Sequence, residues 1–268
     1  MTKNKIEKNS IGFPKNQGLY DSSNEHDSCG VGFIVDTNNH ASHDIVSKGL
    51  SMLCNLEHRG AVGADPKAGD GSGILLQIPH EFFKKEINHF QIPEQNDYAV
   101  GVFFLKKDEK LKDKILKKIE DVCAKENIPF LGWRLCPTYE DELGWSVKPT
   151  TPFVYHLFVG KPEDISKQDD FERKIYVLRQ CIDKEIMIMG DEYYDQFYIP
   201  SFSSRTILYK GMVLSDQVGA VGNKLGFFED LSDNSIVSSF ALIHQRFSTN
   251  TFPTWSLAQP FRMLCHNG

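Results

Sequence analysis

Short stretches of alternating or continuous apolar residues recur along the chain and predict β-strands. In the first, residues 29–36, Val31, Phe33 and Val35 alternate with Gly32 and Ile34. Further strands are expected where apolar runs of strand length occur, at residues 73–78, 98–105, 151–159, 197–202, 206–209 and 238–244. The chain is therefore expected to be rich in strands.

Three longer segments, residues 42–56, 106–127 and 169–189, carry apolar residues at helical spacing and predict α-helices. Ser42, or His43 with Asp44, can cap the first of them. The strands do not alternate with helices as βαβ units, which disfavours a doubly wound parallel sheet. The pattern indicates an α+β fold.

Composition fits one large domain and narrows the classes of function. The chain has 268 residues, of which 40% are hydrophobic, enough to bury a substantial core. Its 30 lysines and arginines against 36 acidic residues give a net charge of −6, which disfavours nucleic acid and anionic membrane surfaces as partners. The apolar stretches are too short to span a membrane, and residues 1–20 lack a secretory signal. We expect a cytoplasmic protein.

The six cysteines are widely scattered, with no C-x-x-C pair and no histidines at zinc-finger spacing. No metal site and no disulfide framework are expected from this pattern. Cys54, Cys123 and Cys181 lie in apolar helical patterns and are expected to pack in the interior.

Cys29 stands out, because glycines follow it at positions 30 and 32 and it opens the first strand. If residues 1–28 are a leader that is removed, Cys29 gains a free α-amine, whose ordinary pKa is about 7.7–8.0. One residue then carries a nucleophilic thiol and its own base. A buried, inert cysteine behind an ordinary tail is the simpler alternative, and the segment alone leaves both open.

Several blocks of the sequence together resemble the class II, or N-terminal nucleophile, glutamine amidotransferases. They are Cys29 with Gly30, residues 56–61, residues 241–251 and residues 266–268. Residues 69–79, 203–212 and 252–255 are similar to the glutamate synthase branch of that family. The resemblance implies a four-layer αββα sandwich over residues 29–268, continuing past the last residue, with residues 1–28 as a propeptide.

The resemblance also implies a catalytic set. The Cys29 thiolate would attack the side-chain amide of glutamine, with the α-amine of Cys29 carrying the proton. The side-chain amide of Asn267 and the backbone N–H of Gly268 would form the oxyanion hole. Arg246 would clamp the substrate α-carboxylate, since a guanidinium can form a bidentate pair.

Further residues follow from the same resemblance. Phe247 and Thr249 would contact the substrate, and Arg59 would brace the surroundings of the nucleophile. Asn250 stands where some members of the family have histidine, and Asp70 is expected in a turn that supports the site. Cys265 either lines the site or packs beneath it.

For the whole protein the resemblance implies release of glutamate and ammonia from L-glutamine, with reductive transfer of the ammonia to 2-oxoglutarate. FMN and an iron–sulfur cluster would be bound by later regions of a longer chain, with a small flavoprotein subunit as a further partner. An aspartate that grips the substrate α-amine is expected beyond residue 268, so residues 29–268 alone are expected to be poorly active. The alternatives are another class II amidotransferase with a different acceptor, or a truncated domain without activity.

Overall fold

The computed structural model describes residues 16–21, 30–60, 63–246 and 252–261. Within these residues the strands are β1 (Val31–Val35), β2 (Ser72–Gln77), β3 (Tyr98–Leu105), β4 (Phe130–Leu135), β5 (Phe153–Gly160), β6 (Phe197–Ser203), β7 (Thr206–Gly211) and β8 (Phe240–Gln245). The helices are α1 (His43–Asn55), α2 (His80–Glu86), α3 (Glu109–Lys125), α4 (Gln168–Met189) and α5 (Asp191–Tyr194).

The strands form two antiparallel sheets of four strands each. The first sheet has the order β1-β8-β2-β7, and the second has the order β4-β5-β3-β6. A tight connection from Ser203 to Thr206 passes directly from the edge of the second sheet to the edge of the first. With helices packed against both sheets, this arrangement confirms the predicted α+β sandwich.

Most elements agree with the sequence pattern, and three were missed, of which α5 has only four residues and therefore shows no helical period. The three long helices and the predicted strands are present with small shifts at their ends, and the Ser42 side chain caps α1 by accepting a hydrogen bond from the Ile45 N–H at 3.4 Å. Helix α2 was not predicted, because seven residues are too few to show a helical period. Strand β4 was missed as well, since its buried positions are Gly132 and Arg134 and its exposed ends are apolar.

Two apolar cores hold the layers together. The first combines residues of α1 and α2 with residues of both sheets, including Leu50, Ile74 and Phe158. The second lies between the other face of the second sheet and helices α3 and α4. Cys123 is fully buried there, as predicted, and burial raises its pKa to about 12.

Among the helices that the structure describes, none combines the length and the apolar character that a membrane span requires.

A buried ion pair connects the two sheets. Arg134 on β4 donates two hydrogen bonds to the carboxylate of Asp230, at 2.9 and 2.8 Å. The hydroxyl of Tyr209, on β7 of the other sheet, donates to the same carboxylate at 3.2 Å, and the Cys136 thiol donates at 3.5 Å. All four side chains are buried, so the two charges are removed from water at a cost in free energy. The bidentate hydrogen bonds between Arg134 and Asp230 offset this cost.

His156 lies beside this pair and completes a group of potential metal ligands. Donor atoms of Cys136, His156 and Asp230 all lie within 4.8 Å of one another. Burial, followed by the nearby Arg134 charge, lowers the pKa of His156 to about 3, so its imidazole is neutral. Both carboxylate oxygens of Asp230 already accept hydrogen bonds from Arg134, which makes this cluster the centre of an ion pair rather than a site for a cation.

Replacing Asp230 with asparagine should destabilise the fold strongly, because the Arg134 charge would stay buried without its counter-ion. We expect Asp230→Asn to lower the free energy of unfolding by about 3–5 kcal/mol, measured by urea denaturation. Glu142→Gln is the control, since Glu142 pairs with Lys67 on the surface and the two side chains are each 53% exposed. It should leave the urea midpoint unchanged, and an equal effect of both substitutions would contradict the role of the buried pair.

Candidate active site

Arg246 follows directly after β8, at the end of a strand held on both sides. Strand β8 pairs with β1 and with β2, so the position of its last residue, Gln245, is fixed by the sheet. The Arg246 N–H donates to the Gly71 carbonyl at 2.9 Å, and Nη1 donates to the Asp70 carbonyl at 3.3 Å. The side chain is only 9% exposed. The Gly71 carbonyl therefore fixes the backbone of Arg246, and the Asp70 carbonyl orients its nearly buried guanidinium.

Gln245 packs between two glycines from distant parts of the chain. Its N–H donates to the Gly30 carbonyl at 2.7 Å, and a Cβ at position 30 would lie 2.2 Å from the Gln245 carbonyl oxygen. A Cβ at position 60 would lie 2.2 Å from Nε2 of the same glutamine. Because the atom close to position 30 belongs to the backbone, that position requires glycine, whereas a Cβ at position 60 would displace the end of the Gln245 side chain. Gln245 itself is 2% exposed.

Arg59 comes to the same place through a short helical turn. A 3₁₀ segment, Glu57–Arg59, follows α1 and ends at Gly60. The Gly60 N–H donates to the Glu57 carbonyl, which closes this turn and sets Gly60 against Gln245. Arg59 is partly buried. The segment containing Arg59 and the segment containing Arg246 therefore meet at Gln245.

A buried lysine lies near Arg246. Lys210 on β7 is fully buried, and its pKa is lowered to about 7, first by burial and then by the charges of Arg179 and Arg246. The effect of the Arg246 charge on this pKa shows that the two basic side chains lie near one another.

The segments that meet here belong to a known sequence family. The sequence pattern of the family described as "Glutamine amidotransferases class-II" matches residues 29–268, which begins at Cys29 and includes every segment that meets at Gln245. The chain belongs to the class II glutamine amidotransferases.

Relatives of this amidotransferase carry a more specific name. The chain is 44% identical over 255 residues to the glutamate synthase [NADPH] large chain of Bacillus subtilis, covering 95% of this chain and 16% of the relative. It is 44% identical over 246 residues to a ferredoxin-dependent glutamate synthase of Pyropia yezoensis, covering 91% and 15%. A glutamate synthase [NADH] of Saccharomyces cerevisiae is 42% identical over 267 residues, covering 95% and 12%. The chain thus spans less than a fifth of the length of these relatives.

The structure describes two of the predicted site residues of the amidotransferase, Arg246 and Arg59, and brings their segments together. The other predicted site residues lie outside the described residues: Cys29, Phe247, Thr249, Asn267 and Gly268. So do Asn250 and Cys265. Gly30, which follows Cys29 in the sequence, is described and contacts Gln245.

Two residues at this place were not singled out from the sequence. Gln245 precedes the predicted clamp but resembles any polar residue at the end of a strand, and only the glycines at positions 30 and 60 hint at its tight packing. Lys210 lies within residues 203–212, which stand out only by their resemblance to the glutamate synthases. The pattern of residues there does not indicate that the Lys210 amine is buried.

A side chain at position 30 should disturb this packing. In Gly30→Ala, the new Cβ would meet a backbone carbonyl that has no freedom to rotate away. We expect a loss of about 1–3 kcal/mol in the free energy of unfolding, measured by chemical denaturation. Gly63→Ala is the matched control, because a Cβ there has no neighbour within 4 Å. Equal stability of the two variants would show that Gln245 packs differently.

Proposed function

We propose that residues 29–268 form the glutamine-hydrolysing part of a glutamate synthase. The observation that carries this proposal is the meeting of three segments at Gln245: the one that follows Cys29, the one that contains Arg59 and the one that contains Arg246. A nucleophile and a carboxylate clamp brought to one place are what amide hydrolysis of an amino acid requires. The relatives named as glutamate synthases support the choice within the family.

The proposed reaction uses Cys29 as an N-terminal residue, after loss of residues 1–28. The family match that begins at residue 29 supports this division of the chain. The Cys29 thiolate attacks the side-chain amide carbon of glutamine, the C–N bond breaks, and the leaving nitrogen takes a proton from the α-ammonium group to depart as ammonia. Water then attacks the thioester while the α-amine accepts its proton, which releases glutamate and restores the thiol.

Two further groups act on the substrate in this proposal. The Asn267 side-chain amide and the Gly268 N–H donate to the oxyanion of the tetrahedral intermediate, and loss of one such donor costs about 10²–10³ in rate. Arg246 binds the α-carboxylate, with its guanidinium oriented by the carbonyl of Asp70 and its backbone fixed by the carbonyl of Gly71. Phe247, Thr249 and Arg59 complete the surroundings of the substrate.

The ammonia is proposed to be transferred to 2-oxoglutarate and reduced in other regions of the synthase, where FMN and an iron–sulfur cluster would act. Among the described residues, the four cysteines do not converge on one point, and the glycine-rich turn at residues 69–73 packs against Ala258. Relatives named for NADPH match at 41–44% identity, those named for ferredoxin at 37–44% and those named for NADH at 38–42%, so similarity here does not follow the electron donor.

Replacing the nucleophile should separate the two nitrogen sources. In the full chain, Cys29→Ser is expected to abolish glutamine-dependent glutamate formation, because only the release of ammonia uses the thiol. Activity with free ammonia should remain at the wild-type level. The measurement compares both rates in the same preparation, with intact mass establishing whether the wild-type protein begins at Cys29.

Two results would contradict this proposal. Equal loss of both activities would make Cys29 a structural residue. An active wild-type protein that retains residues 1–28 would rule out the α-amine of Cys29 as the base.

Replacing Arg246 tests whether this residue binds the α-carboxylate of glutamine. Arg246→Lys keeps the charge but replaces a planar fork with a point charge, so one hydrogen bond to the α-carboxylate is lost. We expect the KM for glutamine to rise about tenfold or more, with a smaller change in kcat, in steady-state assays of the full chain. An unchanged KM would remove Arg246 from the site.

A further inference from the structure

Lys210 ties a separate segment of the chain to the edge of the first sheet. Its Nζ donates to the carbonyl oxygens of Ala258 at 2.7 Å and of Ser256 at 3.0 Å. The same Nζ lies 5.0 Å from the centre of the Tyr198 ring and 4.2 Å from that of Phe261. A fully buried amine therefore holds residues 252–261, which follow the predicted substrate-binding residues along the chain, through two carbonyls and the face of the Phe261 ring.

Two glycines let this segment lie flush against the sheet. A Cβ at position 71 would come within 2.7 Å of the Ala258 Cβ, and the positive φ of Gly71, +116°, also disfavours any other residue. A Cβ at position 211 would come within 2.5 Å of the Trp255 ring. The contact surface thus requires glycine next to Lys210 and again in the turn before β2.

The contacts continue from this segment to Arg246. Ala258 packs directly on Gly71, and the Gly71 carbonyl accepts the hydrogen bond of the Arg246 N–H. The neighbouring Asp70 carbonyl accepts from Nη1 of Arg246. Gly71 is therefore held between Ala258 on one side and Arg246 on the other, so a displacement of residues 252–261 would move the turn that orients the guanidinium.

We propose that Lys210 is a positioning residue for glutamine binding, which fixes residues 252–261 against Gly71 and thereby holds Arg246 in the orientation that grips the substrate α-carboxylate. This inference rests on the proposed function, because the ligand of Arg246 is taken from it. Lys210 acts through its contacts with the segment and does not touch the substrate.

The two hydrogen bonds that Lys210 donates to the segment do not depend on the protonation state of the amine. The charged groups that influence Lys210 are Arg179 on α4 and Arg246 after β8, with the Tyr198 hydroxyl 3.4 Å away on β6. With its pKa lowered to about 7 by burial and these charges, Lys210 is neutral in part at physiological pH. A neutral amine keeps two N–H groups, which match the two carbonyl acceptors.

The test replaces Lys210 with methionine, which keeps the length and apolar stem of the side chain but removes its donors. In the full chain, Lys210→Met is expected to raise the KM for glutamine about tenfold, with kcat changed less than about twofold. Activity with free ammonia should be unchanged. Hydrogen exchange followed by mass spectrometry should show faster exchange in residues 252–261, whose Leu257 and Ala258 N–H groups donate within the segment.

Lys112→Met is the matched control. Lys112 is also largely buried, with its Nζ 5.5 Å from the Phe153 ring centre and 6.0 Å from that of Tyr155, but it lies on α3 in contact with the second sheet. This variant should change neither the KM for glutamine nor exchange in residues 252–261. If both lysine variants raise the KM equally, Lys210 has no special role.

Further outcomes decide the proposal. Faster exchange in residues 252–261 with an unchanged KM would overturn the proposal, because loosening the segment would then have no consequence for Arg246. Unchanged exchange in Lys210→Met would overturn it as well. If Lys210→Met does not fold, Phe261→Leu is the second variant, because it removes the aromatic ring that contacts Nζ at a partly exposed position. An unchanged KM for glutamine in Phe261→Leu overturns the proposal. A wild-type protein that uses ammonia but not glutamine overturns the proposed function itself, and the exchange data then report the tie alone.

Discussion

The site depends on how closely Gln245 packs between Gly30 and Gly60. A Cβ at position 30 would meet the backbone of Gln245, and one at position 60 would meet the end of its side chain, so the start of β1 and the turn after α1 lie close against the end of β8. Such contact is possible only where backbone meets backbone or a side-chain amide meets bare backbone. The segments that contain Gly30, Arg59 and Arg246 are thereby packed against one another at Gln245.

Charged side chains make different contacts between the two sheets and around the site. Arg134 meets the carboxylate of Asp230 in a bidentate pair that also takes the Tyr209 hydroxyl from the opposite sheet, so this ion pair fixes how the sheets sit on each other. Around the site, Arg246 and Lys210 instead donate to backbone carbonyls. These hydrogen bonds fix where the two basic side chains lie relative to the backbone of the sheet and its adjoining turn.

The sequence predicts the elements better than the contacts between them. Long helices such as α4 show enough apolar positions to be recognised, whereas α2 is too short and β4 buries an arginine where a strand pattern expects an apolar residue. Arg246 could be predicted as a site residue because its segment resembles a known family. Lys210 could not, because its partners Ser256 and Ala258 are almost fifty residues away and contribute only backbone oxygens, which no side-chain pattern reveals.

The motifs that resemble the glutamate synthases lie together in this arrangement. Residues 69–73 and the pair Lys210 and Gly211 come together where residues 252–261 lie on the sheet, next to the carbonyls that hold Arg246. The motifs thus support the position of Arg246, the residue proposed to bind the α-carboxylate of glutamine. Since the energy of a bidentate pair depends on its geometry, a change in the residues that hold Gly71 in place would alter the proposed binding even where the arginine itself is kept.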